Sequence, residues 1–153
     1  MMKIHLCFLG LTITACMFLA GCKEGKPKEL ADLTPCTLTF QYEDGTPVDQ
    51  ATIKLFPEDT NNAWSMGGIT DDSGKLIVKT DRKYDGAMPG KYKVTCSKLL
   101  LTPTGKKGEE GEDICTSTPL VDAEFTKSPT TPLAIEVVSK TPLESTLTVK
   151  KAK

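Results

Sequence analysis

The chain has 153 residues, with 19 lysines and arginines against 20 aspartates and glutamates and a net charge of −1. That length suits one domain of ordinary size rather than two. A near-neutral balance removes the electrostatic footprint of a nucleic-acid partner, so none is expected.

Residues Leu6 to Leu19 form an apolar run free of charge, with Lys3 ahead of it and the polar Lys23-Glu24-Gly25-Lys26-Pro27-Lys28 close behind. The run falls short of the about 20 residues that a membrane-crossing helix needs, and it reads as a signal peptide over residues 1–21. Its end, Leu19-Ala20-Gly21-Cys22, resembles the lipobox of bacterial lipoprotein signal peptidase. Small side chains at Ala20 and Gly21 suit an extended segment in a peptidase site, and the Cys22 thiol is the acceptor for a diacylglyceryl group. Each buried CH₂ of such a lipid adds about 0.8 kcal/mol to membrane residence, and stable anchoring takes more than one acyl chain. A lipid-anchored envelope protein is therefore expected, with palmitate among its acyl chains and the membrane as its first partner. Lys23 stands where an aspartate retains lipoproteins in the inner membrane of some bacteria, which favours the outer membrane.

Processing removes Lys3 and His5 and leaves 18 basic and 20 acidic residues with no histidine. No imidazole base then remains for serine or cysteine nucleophiles. No catalytic residues, no metal ligands and no cofactor beyond the covalent lipid are expected. Three cysteines follow Cys22, namely Cys36, Cys96 and Cys115. An exported compartment favours disulfides, and three thiols allow three pairings. A Cys96–Cys115 bridge would close the polar stretch between them, contributing roughly 3 kcal/mol by the loop-entropy argument; Cys36 is the alternative partner.

Residues 22–34 carry charges and Pro27 without apolar periodicity and read as a flexible tether. From Pro35 the period of two that marks half-buried strands takes over, with Cys36, Leu38, Phe40 and Tyr42 on one face. Glu43-Asp44-Gly45-Thr46-Pro47 is turn chemistry, after which Ala51, Ile53 and Leu55 alternate with Thr52, Lys54 and Phe56. A short strand over Ser65 to Thr70, an acidic turn at Asp71-Asp72-Ser73-Gly74 and a strand over Lys75 to Thr80 come next. Tyr84 to Gly90 forms a loop that delivers a strand with Tyr92, Val94 and Cys96 inward. The Gly-, Lys- and Glu-rich segment 102–118 is too polar to bury and reads as a mobile loop. Leu133, Ile135 and Val137, then Leu143, Leu147 and Val149, restore β patterning. The pattern predicts an all-β, antiparallel Greek-key sandwich of about seven strands over residues 35–150.

Gly45-Thr46-Pro47-Val48 with Ala51-Thr52-Ile53, Gly68-Ile69-Thr70-Asp71 with Gly74-Lys75-Leu76, and Asp85-Gly86-Ala87-Met88-Pro89-Gly90-Lys91-Tyr92-Lys93-Val94 together resemble the carboxypeptidase regulatory-like, or transthyretin-like, β-sandwich. Their order and spacing, with Phe125 to Leu133, resemble small lipoproteins of planctomycete-type bacteria. The resemblance implies a fold and a non-catalytic role, and it brings no ligand residues with it.

The expected function is a binding or scaffolding module for an envelope protein or a cell-surface polymer. A carbohydrate-binding module built on Trp64 and Tyr84, both placed in loops, is the alternative. A hydrolase built on Glu43, Asp44, Asp71 and Asp85 comes third, because all four fall in turns where acidic residues are common.

Overall fold

The computed structural model describes residues 27–30, 32–59 and 64–153. The signal peptide and the lipobox Leu19, Ala20, Gly21 and Cys22 lie outside the described residues. Eleven strands follow in chain order: β1 (Cys36–Tyr42), β2 (Thr52–Pro57), β3 (Met66–Ile69), β4 (Lys75–Ile77), β5 (Lys79–Thr80), β6 (Tyr84–Asp85), β7 (Gly90–Ser97), β8 (Leu99–Lys107), β9 (Asp113–Pro119), β10 (Ala134–Val137) and β11 (Leu143–Val149). They form a three-stranded sheet β11-β1-β4, a six-stranded sheet β10-β7-β2-β3-β5-β6 and a separate hairpin β8-β9.

The fold is an all-β sandwich. Alternation along each strand drives it, because the two large sheets can each shed apolar surface only by facing one another. Cys36, Leu38, Phe40 and Tyr42 from β1 share one buried cluster with Ile53 and Leu55 from β2 and Tyr92, Val94 and Cys96 from β7. Phe125, in a short 3-10 turn over Ala123–Thr126, joins the same core. The Asp122 carboxylate caps that turn by accepting from the Glu124 N–H.

Four expectations need correction. Among the described residues the strands number eleven rather than about seven, in part because the run Lys75 to Thr80 splits at Val78. There the chain leaves β1, the partner of β4, for β3, the partner of β5, and the Val78 N–H donates to the Cys36 carbonyl at 2.9 Å. The sheets are antiparallel except at one pair: β1 and β11 run parallel, with Cys36 opposite Leu143 and Tyr42 opposite Val149. After β10 the chain crosses between sheets instead of reversing within one, so β11 arrives in the direction of β1. Segment 102–118 is not a loop but most of a hairpin, because Leu100-Leu101-Thr102 can pair with Thr116-Ser117-Thr118 across a turn near Gly108 and Gly111. Finally, the ordered domain begins before Pro35: Leu30 is fully buried and Thr34 bridges Ala87 through two backbone hydrogen bonds.

The turn at Thr70 ties β2 to β3. Its buried hydroxyl donates to the Val48 carbonyl at 2.6 Å and accepts the Ala51 N–H at 2.8 Å. Replacing it with an isosteric methyl strands both backbone groups in the core, and unpaired buried groups cost about 1–3 kcal/mol. Thr70→Val is expected to lower unfolding free energy by that amount in urea titrations, whereas Thr52→Val at an exposed site is expected to stay within about 0.5 kcal/mol of wild type.

Candidate functional site

The strongest surface feature is the outer face of the six-stranded sheet. Since Ile53, Leu55, Tyr92 and Val94 point inward, their neighbours must point out, and several of these are lysines. Register then assembles them. One row across the sheet reads Thr95, Lys54, Gly67, Lys79 and Asp85; a second reads Ala134, Lys93 and Phe56; a third joins Glu136 to Lys91. Lys54, Lys91 and Lys93 lie on β2 and β7 with no outward carboxylate on either strand. Three acids share this face: Asp85 on β6, 3.3 Å from Lys79 Nζ; Glu136 on β10 opposite Lys91; and exposed Glu58 just past β2, whose N–H donates to the Lys91 carbonyl at 2.9 Å.

Gly67 stands between Lys54 and Lys79 and leaves an open trough of about 230 Å³ bordered also by Thr52, Ile69 and Arg82. Its φ of +146° and close approach to β2 admit no side chain, since a Cβ there would collide with the Ile53 carbonyl oxygen. Arg82, the sole arginine of the chain, sits with Asp81 in a turn where both residues have positive φ (57° and 53°). Such residues cost of order 1 kcal/mol each and persist only when the surroundings hold them. Here the Asp81 N–H donates to the Ser65 carbonyl at 2.7 Å and the Lys83 N–H to the Thr80 carbonyl at 3.3 Å. Lysines on neighbouring strands repel one another. Asp85, Glu136 and Glu58 on the same face offset part of that charge, and the trough itself is bordered by Lys54, Lys79 and Arg82.

The aromatic pair expected to carry a glycan does not form an exposed platform. Trp64 is half-buried, and Tyr84 is half-buried on the inward side of β6, with Lys83 Nζ 5.4 Å from its ring centre. The exposed aromatic ring on the outer face is Phe56, which alternation already turned outward. The basic face is not legible in the sequence as a unit, because the outward lysines are visible in each strand but their neighbours depend on register.

Of the four carboxylates considered for hydrolysis, Glu43 and Asp44 are neighbours that line one open pocket with Asp122, Lys150 and Lys151, whereas Asp71 and Asp85 belong to another turn and to β6. Asp44 accepts from the Thr46 N–H at 3.0 Å and from Lys151 at 2.7 Å, and these contacts hold its pKa well below the ordinary range. Asp71 accepts from the Ser73 hydroxyl and N–H and the Lys75 N–H, at 2.6 to 2.9 Å, which also lowers its pKa. Neither is protonated near neutral pH, as a general acid must be. Glu43 lies beside Asp44 in the turn after β1, and Asp85 pairs with Lys79. Among the described residues no group of three or more His, Cys, Asp or Glu side chains is placed to hold a metal ion, and no helix is long and apolar enough to cross a membrane.

The expected Cys96–Cys115 disulfide is not formed, and Cys36 is not bridged either. Cys96 turns into the core from β7, whereas Cys115 is exposed on β9 opposite Pro103. The strand ladder, not a covalent bridge, closes the segment between them.

No protein-family model matches the chain, and no curated protein matches it. Among solved structures it is similar to a 9R-lipoxygenase from Cyanothece, at 15% identity over 82% of this chain and a TM-score of 0.46. The chain spans 17% of that enzyme's length.

Burial pushes the Cys36 thiol up to about 11 and the Cys96 thiol up to about 12. Since the thiolate is the reactive form, alkylation of the folded protein at pH 8 is expected to mark Cys115 within minutes and to spare both core thiols until denaturant is added. Peptide mass mapping reads this directly, and equal labelling of Cys96 would contradict its placement.

Proposed function

We propose that the protein is a non-enzymatic lipoprotein of the cell envelope, anchored through Cys22, whose sandwich binds an anionic cell-surface polymer on the outer face of its six-stranded sheet. The observation that carries this reading is the set Lys54, Lys79 and Arg82 around the trough at Gly67, with Lys93 in the next row opposite Phe56. Opposite charge on a polysaccharide chain would relieve the mutual repulsion of these cations, and the flat sheet suits a linear polymer. The lipobox supports the location, and the outer membrane is the favoured one. The absence of histidine after Cys22 supports a non-catalytic role. Within the all-β class we propose a Greek-key sandwich of the carboxypeptidase regulatory-like, or transthyretin-like, type. Its support is that the motif residues Gly45, Asp71 to Gly74 and Pro89-Gly90 occur at strand-joining turns or strand starts.

The test uses polygalacturonate as a uronic-acid probe, dextran sulfate as a sulfated one and dextran as the neutral control. Binding is expected for at least one anionic probe, weakening as salt rises, and weaker by about tenfold or more in a Lys54→Glu/Lys93→Glu variant. No binding, or affinity unchanged by the charge reversal, would overturn the reading. Salt-independent binding of dextran lost in Trp64→Ala would replace it with the neutral-glycan alternative.

The anchor is tested separately. Cys22→Ser is expected to shift the protein from the membrane fraction to the soluble fraction and to abolish incorporation of labelled palmitate. Wild-type protein found wholly soluble and unlabelled would reject anchoring.

A further inference from the structure

We propose that two copies of this chain pair through the outer edge of β9, antiparallel about Thr116, to make a four-stranded sheet. This inference goes beyond the polymer-binding reading and uses a different part of the molecule. Among the described residues β8 and β9 have only each other as partners, and every residue of both strands is exposed. A two-stranded ribbon is marginal alone, and each edge leaves alternate N–H and C=O groups without a ladder partner. The two edges differ. β8 carries Pro103 near its middle and ends in Lys106 and Lys107, both features that block strand addition. β9 offers Ile114-Cys115-Thr116-Ser117-Thr118, five residues without charge or proline and rich in β-branched side chains.

That stretch is self-complementary when it runs antiparallel to itself. With Thr116 on the two-fold axis, Ile114 lies opposite the second copy's Thr118, and Cys115 opposite its Ser117. No like charges meet. Because Leu100 already pairs with Thr118 within each copy, the exposed Ile114 enters the same cross-sheet row as a Leu100. Leu101, Ser117, Cys115 and Pro103 form a row on the other face by the same register. Leu100, Leu101 and Ile114 thus gain neighbours that their own hairpin cannot supply. The charged turn between the strands, with Lys106, Lys107, Glu109, Glu110, Glu112 and Asp113, argues against insertion of this hairpin into a lipid surface.

The register gives the test, applied to full-length protein in native membranes. Ser117→Cys places an introduced thiol opposite the second copy's Cys115, within disulfide range for facing residues of an antiparallel pair. Mild oxidation is expected to give a reducible dimer of twice the chain mass, several-fold more abundant than in wild type. Adding Thr116→Lys sets like charges on the axis and is expected to reduce that band at least fivefold, while Cys115 still reacts with a soluble maleimide. No dimer, or a dimer unchanged by Thr116→Lys, overturns the proposal. A cross-link to a chain of different mass overturns it in favour of a heterologous strand partner. Thr116→Lys leaves the polymer-binding face intact, so either result is independent of the polymer assays.

Discussion

The sandwich depends on how its strands end inside the core. Where a strand stops or switches sheet, backbone groups lose their ladder partners, and in a dry interior each must find another. Threonine hydroxyls do much of this. The buried polar side chains among the described residues are Thr34, Thr70, Thr80, Thr95 and Thr131. Thr80 donates to the Gly86 carbonyl at 2.8 Å and Thr131 to the Val94 carbonyl at 2.7 Å, while Thr34 accepts the Lys140 N–H. A hydroxyl both donates and accepts, and its methyl packs like that of valine, so one residue type satisfies a broken ladder without bringing charge into the core. No buried side-chain nitrogen or oxygen among the described residues lacks a partner.

With charge excluded from the interior, the surface carries all of it and the strand period sorts it. The acids gather in turns, where Asp44 and Asp71 tie backbone amides, while lysines fill outward strand positions. Two surfaces of different character follow from one rule of alternation. The six-stranded sheet carries lysines outward because β7 alternates Tyr92 and Val94 with Lys91 and Lys93, while Lys54 on β2 and Lys79 on β5 take outward positions. The projecting hairpin has no core to face and stays apolar on its strands and charged at its tip.

The parity of Cys36 through Tyr42, of Ile53 and Leu55 and of Tyr92 through Cys96 was legible in the sequence, and so were the turns at Gly45 and Asp71. These features are local, set by period and by turn chemistry within a few residues. What escaped was non-local. The parallel β1–β11 pair joins residues more than a hundred positions apart, and the break at Val78 follows from a choice between partner strands. Composition misled at segment 102–118, whose charged turn masked two pairable strands. The basic face was half legible, since each lysine's direction could be read from its own strand while its neighbours could not. The aromatic candidates show the same gap, since the half-burial of Trp64 and Tyr84 depends on neighbouring strands that their own sequence does not reveal.

The burial of Leu30 fixes the length of the leash. Eight peptide units separate it from Cys22, and a fully extended chain covers at most about 3.6 Å per residue. If Cys22 carries the proposed lipid, Leu30 lies within about 30 Å of that anchor, and the rest of the sandwich extends outward from there. Under the proposed anchoring, so short a span would hold the domain beside the membrane and let it meet membrane-bound material in two dimensions rather than three.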